Sequence, residues 1–254
     1  MTHETTAVPA VEARGLGWQV GGARIVKGVS FTVAPGEMVG VIGPNGAGKT
    51  SLFNLVSGIN PVTTGQVLLN GTDVTHAPIA ARARAGLGRT FQTSSLFPQL
   101  SVHENVRLAA QSRMGGNLSI LRFPHRGDEA SREANGHLDR VHLAARDAVA
   151  GDLSHGDKRK LEIAVLLAQD PSVILLDEPM AGVAHADVPG LTEVIRDLNT
   201  LGKTVMIVEH HLEVVLGLVT RVAVMHQGEL LAFDTPETIM ANPTVQSAYL
   251  GDIA

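Results

Sequence analysis

Gly43-Pro44-Asn45-Gly46-Ala47-Gly48-Lys49-Thr50-Ser51 follows an apolar stretch, EMVGVIG, and precedes SLFNLVSG, whose spacing predicts a helix. This is the pattern GxxxxGK[ST] in a strand-loop-helix context, the arrangement that cradles a polyphosphate. Glycines let backbone amides point at phosphate oxygens, the helix N-terminus adds partial positive charge, and Lys49 is expected to bridge the outer phosphates. Thr50 is placed to ligate Mg²⁺. A Gly-rich turn with an incidental Lys would not explain why loop, strand and helix agree.

A second group of chemistry-bearing residues closes the apolar run SVILL, where Asp177-Glu178 stand at the end of an expected buried strand. Ligands of open α/β sheets bind at the carboxyl ends of their strands. Asp177 is expected to hold the metal, through water, and Glu178 to polarise an attacking water. Upstream lies LSHGD, residues 153–157. Ser154 suits the N-cap of the helix KRKLEIAVLLA, with Asp157 three residues on as its reciprocal partner, but a cap does not need Gly156.

These residues must be positioned by a scaffold, and 254 residues at 44% hydrophobic content supply one sizeable core. VEARGLGWQV, ARIVKGVSFTV and EMVGVIG read as strands. Pro35-Gly36 between the last two suggests a type II turn and an opening antiparallel hairpin. Asn70-Gly71 in GQVLLNGTDV suggests a second hairpin with a type I′ turn. From about Ser101 to Ala150 the spacing is helical, beginning with the capping box Ser101-Val102-His103-Glu104 and interrupted by GGNLSILRFPHRGD. Helices then alternate with strands that are apolar on consecutive residues, as in SVILLDE, TVMIVEH and RVAVMHQG. Such strands are buried on both faces of a largely parallel sheet in an α/β core.

Composition excludes several classes. The chain has no cysteine, so disulfides, thiolate metal sites and a Cys nucleophile are unavailable. A net charge of −5 and 3% aromatic content argue against a nucleic-acid surface. The first residues lack a signal-peptide pattern. No segment reaches the roughly 18 to 20 apolar residues of a membrane span, so a membrane connection is expected through partners.

LSHGD before the Asp-Glu strand, Gln92 at the end of GLGRTFQ, and His210 after TVMIVE complete an ordered set with the phosphate loop. That set resembles the ATPase subunit of ABC transporters along about residues 11–251. The resemblance implies a single ABC ATPase domain over 8–251: a phosphate-loop NTPase core of mostly parallel sheet flanked by helices, with an N-terminal antiparallel β subdomain, from 8–93 and 160–251, and an inserted α-helical subdomain at 94–159. It implies ATP and Mg²⁺ as ligands, with Gln92 touching metal and catalytic water and His210 contacting the γ-phosphate. His211 reads as a surface residue. Ser154, His155 and Gly156 would serve an ATP held by a second ATPase subunit, identical or homologous.

Three positions depart from the family pattern. Val20 stands where an aromatic usually stacks on adenine, and Trp18 lies two residues earlier, on the same face of an extended strand, so either is the expected adenine contact. Ala184 replaces the Asp or Asn that helps couple two ATP sites, and Asp157 replaces the commoner Gln. GLGRTFQ, LSHGDKRKLEIA, the AGV after DEPM and the tail NPTVQSAYLG resemble the ATPases of branched-chain amino acid and urea or short-amide importers. Two multi-spanning permease subunits, an extracytoplasmic solute-binding protein acting indirectly, and a peripheral place on the cytoplasmic face of the inner membrane are thereby implied. An exporter ATPase, a soluble ABC ATPase and a small-molecule kinase are the competing readings; the last leaves LSHGD and His210 unexplained.

Overall fold

The computed structural model of the chain describes residues 7–90, 96–115, 128–210 and 212–250. The first elements are β1 (Val11–Val20), β2 (Ala23–Val33), β3 (Met38–Ile42), α1 (Lys49–Ser57), β4 (Thr64–Leu69), β5 (Thr72–Asp73), α2 (Ile79–Arg84) and β6 (Leu87–Arg89). Three helices follow, α3 (Val102–Arg113), α4 (Glu129–Arg140) and α5 (His155–Ala168). Then come β7 (Val173–Asp177), α6 (Val188–Thr200), β8 (Thr204–Val208), α7 (Leu212–Leu216), β9 (Arg221–His226) and β10 (Glu229–Asp234), closed by α8 (Pro236–Ala241) and α9 (Pro243–Leu250). The chain forms two compact units, a sheet unit (up to residue 89, 172–178, and from 198 on) and a helical unit (90–171 and 179–197).

The sheet unit holds two sheets. One is antiparallel, in the order β2-β1-β4-β5; the other runs β10-β9-β3-β8-β7-β6 and is parallel except for β10 against β9. Pro35-Gly36 does form a turn, with Glu37 N donating to Ala34 O at 3.1 Å and Gly36 at φ 73°. That turn is not the expected hairpin: β2 pairs with β1, and β3 enters the other sheet. The reason is patterning. Along β2 buried and exposed residues alternate, which suits a one-sided sheet, whereas every residue of β3 is buried and needs cover on both faces. The opening hairpin is therefore β1–β2, and the β4–β5 hairpin turns at Asn70-Gly71, both at positive φ, as expected. Strand β10, absent from the sequence reading, follows the turn Gln227-Gly228. Gly228 N donates to Ala47 O at 3.0 Å and its carbonyl accepts from Lys27 N at 2.8 Å, so this turn ties the phosphate-loop region to β2.

Helix α1 is also anchored at its far end. Arg82, 2% exposed, donates to the carbonyls of Leu55 and Val56 at 2.6 and 2.7 Å, and to those of Thr75 and Ala77 at 2.9 and 3.0 Å. A guanidinium against the last carbonyls of a helix meets the negative end of its dipole. Burial lowers its pKa from the usual Arg value, and the anchoring carbonyls are what make such a site tenable.

In the helical unit α3, α4 and α5 each start on a side-chain cap. Glu104 N donates to Ser101 Oγ (3.1 Å), Ser131 N to Asp128 Oδ1 (2.7 Å), and Asp157 N to Ser154 Oγ (3.1 Å). The first half of the expected capping box at Ser101 is thus present. Its second half is not: the Glu104 carboxylate accepts from Arg107 Nε at 2.9 and 3.0 Å. GGNLSILRFPHRGD falls almost entirely outside the described residues.

Candidate active site

The phosphate loop leaves β3 at Gly43, and a side chain there is excluded twice over. Its φ is 151°, and a Cβ would lie 2.1 Å from the carbonyl oxygen of Met225. Pro44 O accepts from Ala47 N at 3.1 Å, Asn45 and Gly46 are exposed, and Gly48 caps α1 at φ 99°. Thr50 and Ser51 fall in the first turn of α1. Lys49 is buried, and its Nζ donates to Gly43 O at 2.6 Å and Pro44 O at 3.0 Å. Burial lowers its pKa, against the opposing pull of Glu178 and Asp177. A lysine in this setting is a cation short of solvation, so anionic oxygens brought to the loop would compete well for it.

Asp177 closes β7, in register with Val208 of β8. It is 2% exposed, and burial raises its pKa while Arg89 opposes the rise. Glu178 follows at φ 50°, in the left-handed region, with its amide donating to Val208 O at 2.9 Å. For a residue with a long side chain that conformation costs on the order of 1–3 kcal/mol and marks functional sites. It turns the carboxylate to meet His210: Glu178 Oε1 and His210 Nε2 are 2.8 Å apart. His210 is held from behind, its amide donating to Glu209 Oε2 at 3.0 Å. Lys49, Asp177, Glu178 and His210 thus belong to one site within the sheet unit. Gln92 and His211 lie outside the described residues.

The two candidates for the base-stacking position differ. Trp18 is half-buried and lines a cleft of about 480 Å³ with Arg24, Val26, Lys27, Thr63 and Glu229. Through Lys27 and the Gly228 turn that cleft adjoins the phosphate loop. Val20 is exposed at the hairpin end and is not among the lining residues. The pairing with β2 shifts between Trp18 and Gln19, where one step along β1 spans two along β2.

In the helical unit, Ser154 and His155 are exposed at the start of α5, and Gly156 is buried. The Ser154 hydroxyl accepts from Asp157 N and retains a proton to donate elsewhere. Gly156 has a structural reason that capping does not provide: a Cβ there would lie 3.0 Å from Asp187 Cβ and 3.1 Å from its Oδ2. The segment after Glu178 therefore packs directly against this helix end through Asp187. Sequence reasoning missed Asp187 and also Arg89, which contacts Asp177; an Arg inside the small apolar stretch GLGRTFQ was the available signal.

Residues 26–181 match the family model for ABC transporter ATP-binding domains. The chain belongs to the ABC transporter ATP-binding family. This ABC ATPase also matches, over residues 229–254, the C-terminal model of the branched-chain amino acid ATP-binding cassette transporters. It is 39% identical over 240 residues to the lipopolysaccharide export ATP-binding protein LptB of Escherichia coli K12, covering 94% of this chain and 96% of that protein. It is 37% identical over 251 residues to the high-affinity branched-chain amino acid transport ATP-binding protein LivG of the same organism, covering 96% and 98%. Among solved structures, the ADP conformation of MJ1267, an ATP-binding cassette of an ABC transporter, matches with a TM-score of 0.83 at 28% identity, covering 96% and 99%. The phosphate-loop α/β fold with its antiparallel β subdomain is the fold of these cassettes, and nucleotide binding follows for the ABC ATPase described here. Among the described residues no helix is long and apolar enough to cross a membrane.

Proposed function

We propose that this ABC ATPase hydrolyses ATP at an interface with a second ATPase subunit, and that hydrolysis drives uptake of branched-chain amino acids or related small polar solutes. The observation that carries the hydrolytic part is the Glu178–His210 pair, at 2.8 Å, beside buried Lys49 and Asp177. In this reading the loop amides and Lys49 bind the outer phosphates, Trp18 meets the base, and Glu178 accepts the proton of the attacking water. His210 orients Glu178 and reaches the γ-phosphate; Gln92 touches metal and water. Ser154, His155 and Gly156 of the second subunit complete the site.

The donor set fits Mg²⁺. Thr50 offers a hydroxyl and Asp177 a carboxylate, and among the described residues no group of three or more His, Cys, Asp or Glu could enclose a metal. Thr50 and Asp177 would hold Mg²⁺ together with the phosphates, and the bound ion would neutralise phosphate charge.

The match of residues 229–254 supports import, as does the likeness to LivG. The likeness to LptB, at similar identity, favours export as the second reading. In either case the chain would sit on the cytoplasmic face of the inner membrane, bound to two permease subunits; in the import reading a solute-binding protein acts from outside. Reconstitution with those permeases in proteoliposomes separates the readings. Leucine uptake stimulated by the solute-binding protein is expected; urea or a short amide taken up in its place would redirect the solute class. ATP-driven release of a lipid-linked cargo with no uptake would sink import.

A further inference from the structure

We propose that Arg89 is a positioning residue that fixes the carboxylate of Asp177 against helix α1 and thereby sets the metal affinity of the site. The inference rests on the ATPase reading above. Arg89 Nη2 donates to Asp177 Oδ2 at 2.7 Å, with side-chain exposures of only 6% and 1%. Its other arm, Nη1, donates to Ser57 Oγ at 2.7 Å, and that hydroxyl donates in turn to Phe53 O at 2.8 Å. The guanidinium carbon lies 5.8 Å from the centre of the Phe53 ring. Backbone register agrees, since Arg89 of β6 pairs with Leu175 of β7, two residues before Asp177.

The consequence is a fixed frame. Helix α1 carries Lys49 and Thr50 in its first turn and Phe53 and Ser57 further along, so Arg89 refers Asp177 to the element that presents the other expected metal oxygen. A planar guanidinium bridges two acceptors at fixed angles, which an ammonium does not. A stability role alone is a poor explanation, because burying an ion pair costs desolvation that its attraction often only offsets. Burial indeed pushes Arg89 down from its usual pKa as it pushes Asp177 up. Partners that orient metal-binding carboxylates act on metal affinity, and their loss costs about 10- to 100-fold.

The test uses the full chain carrying Glu178→Gln, with Mn²⁺ as an electron-paramagnetic-resonance probe in the presence of ATP. Arg89→Met is expected to weaken protein-bound Mn²⁺ by about tenfold or more. ATP binding in EDTA should stay at the parent value. Ser57→Ala keeps the ion pair and removes one arm, and Arg89→Lys keeps the charge without the fork; both are expected to lie between parent and Arg89→Met. Should Arg89→Met fail to fold, Ser57→Ala decides. Parent Mn²⁺ affinity in Ser57→Ala and Arg89→Met, or equal losses of metal and metal-free ATP binding, overturns the proposal. Asp177→Asn separates the two levels: weakened Mn²⁺ there with none in Arg89→Met removes only the brace, whereas unchanged Mn²⁺ in Asp177→Asn removes the metal site itself.

Discussion

The phosphate-loop end of the sheet unit and the LSHGD end of α5 in the helical unit are both helix N-termini suited to an anion, yet they are built in opposite ways. At the first, Lys49 and Asp177 are buried, and Gly43 is confined by the Met225 carbonyl. At the second, Ser154 and His155 are exposed, and the Ser154 hydroxyl caps its own helix. Both have their dipole and amides, so the difference lies in what surrounds them. One end is furnished with cation, carboxylates and histidine from its own unit. The other offers a donor and a dipole, and in the proposed reading it needs a phosphate supplied by another chain.

The largest expected effect breaks the furnished end. Glu178→Gln should lower hydrolysis about 10²- to 10⁴-fold, the range of general-base contributions, with ATP binding retained; steady-state phosphate release and a nucleotide-binding titration measure the two. Substantial turnover by that variant would remove Glu178 as the base and with it most of the contrast between the two ends.

Ser154→Asp acts on the bare end. Asp is as good a cap as Ser, so the melting temperature should hold. A carboxylate facing a γ-phosphate should nonetheless cut hydrolysis on the order of 10²-fold, the scale of losing one transition-state donor. Ser154→Ala is the mirror case, costing about 1 kcal/mol of stability through the lost cap. If Ser154→Asp hydrolyses ATP like the parent, the exposed helix end serves no phosphate.

A third substitution sharpens the furnished end by separating base from phosphate recognition. Trp18→Ala should weaken ATP by about 1–3 kcal/mol, the scale of base stacking on an aromatic, while Val20→Ala changes little. Guanosine triphosphate as competitor gives a second readout, because stacking tolerates either purine. Equal losses in the two variants would return Val20 to the adenine position.

Most of this contrast was legible in the sequence, for physical reasons that also explain the omissions. The phosphate loop and Asp177-Glu178 are local patterns flanked by apolar runs, and β7 and β8 are apolar on consecutive residues because both faces are covered. The Pro35-Gly36 turn was legible as a turn; that it passes between sheets depends on which surface β3 must bury, a tertiary property. Strand β10 carries a short apolar run, Leu230 to Phe233, but it is exposed or half-buried throughout and shows no alternation, so nothing in its own pattern marks it as a partner for β9. Contacts between residues far apart in sequence leave no spacing to read: Arg89 with Asp177 is one, Asp187 against Gly156 another. Even the left-handed backbone of Glu178 has no local cue; its amide bonds to Val208 O on β8, far away in sequence.

The smallest expected effect concerns Gly156, where two terms of similar size oppose each other. Ala in place of Gly within a helix is worth about 0.5–1 kcal/mol of stability. Here the added methyl would crowd Asp187, whose Cβ and Oδ2 lie 3.0 and 3.1 Å from its position. Gly156→Ala alone should therefore gain less than that amount or lose stability, while the same change in an Asp187→Ala background should recover the full gain. The coupling in this double-mutant cycle, read by denaturant unfolding, should fall at the low end of the roughly 0.5–3 kcal/mol seen between touching residues. Additivity would mean that Asp187 yields freely. Gly156 would then be left without a packing reason, and its requirement would pass to whatever approaches the exposed face of α5 from a second subunit.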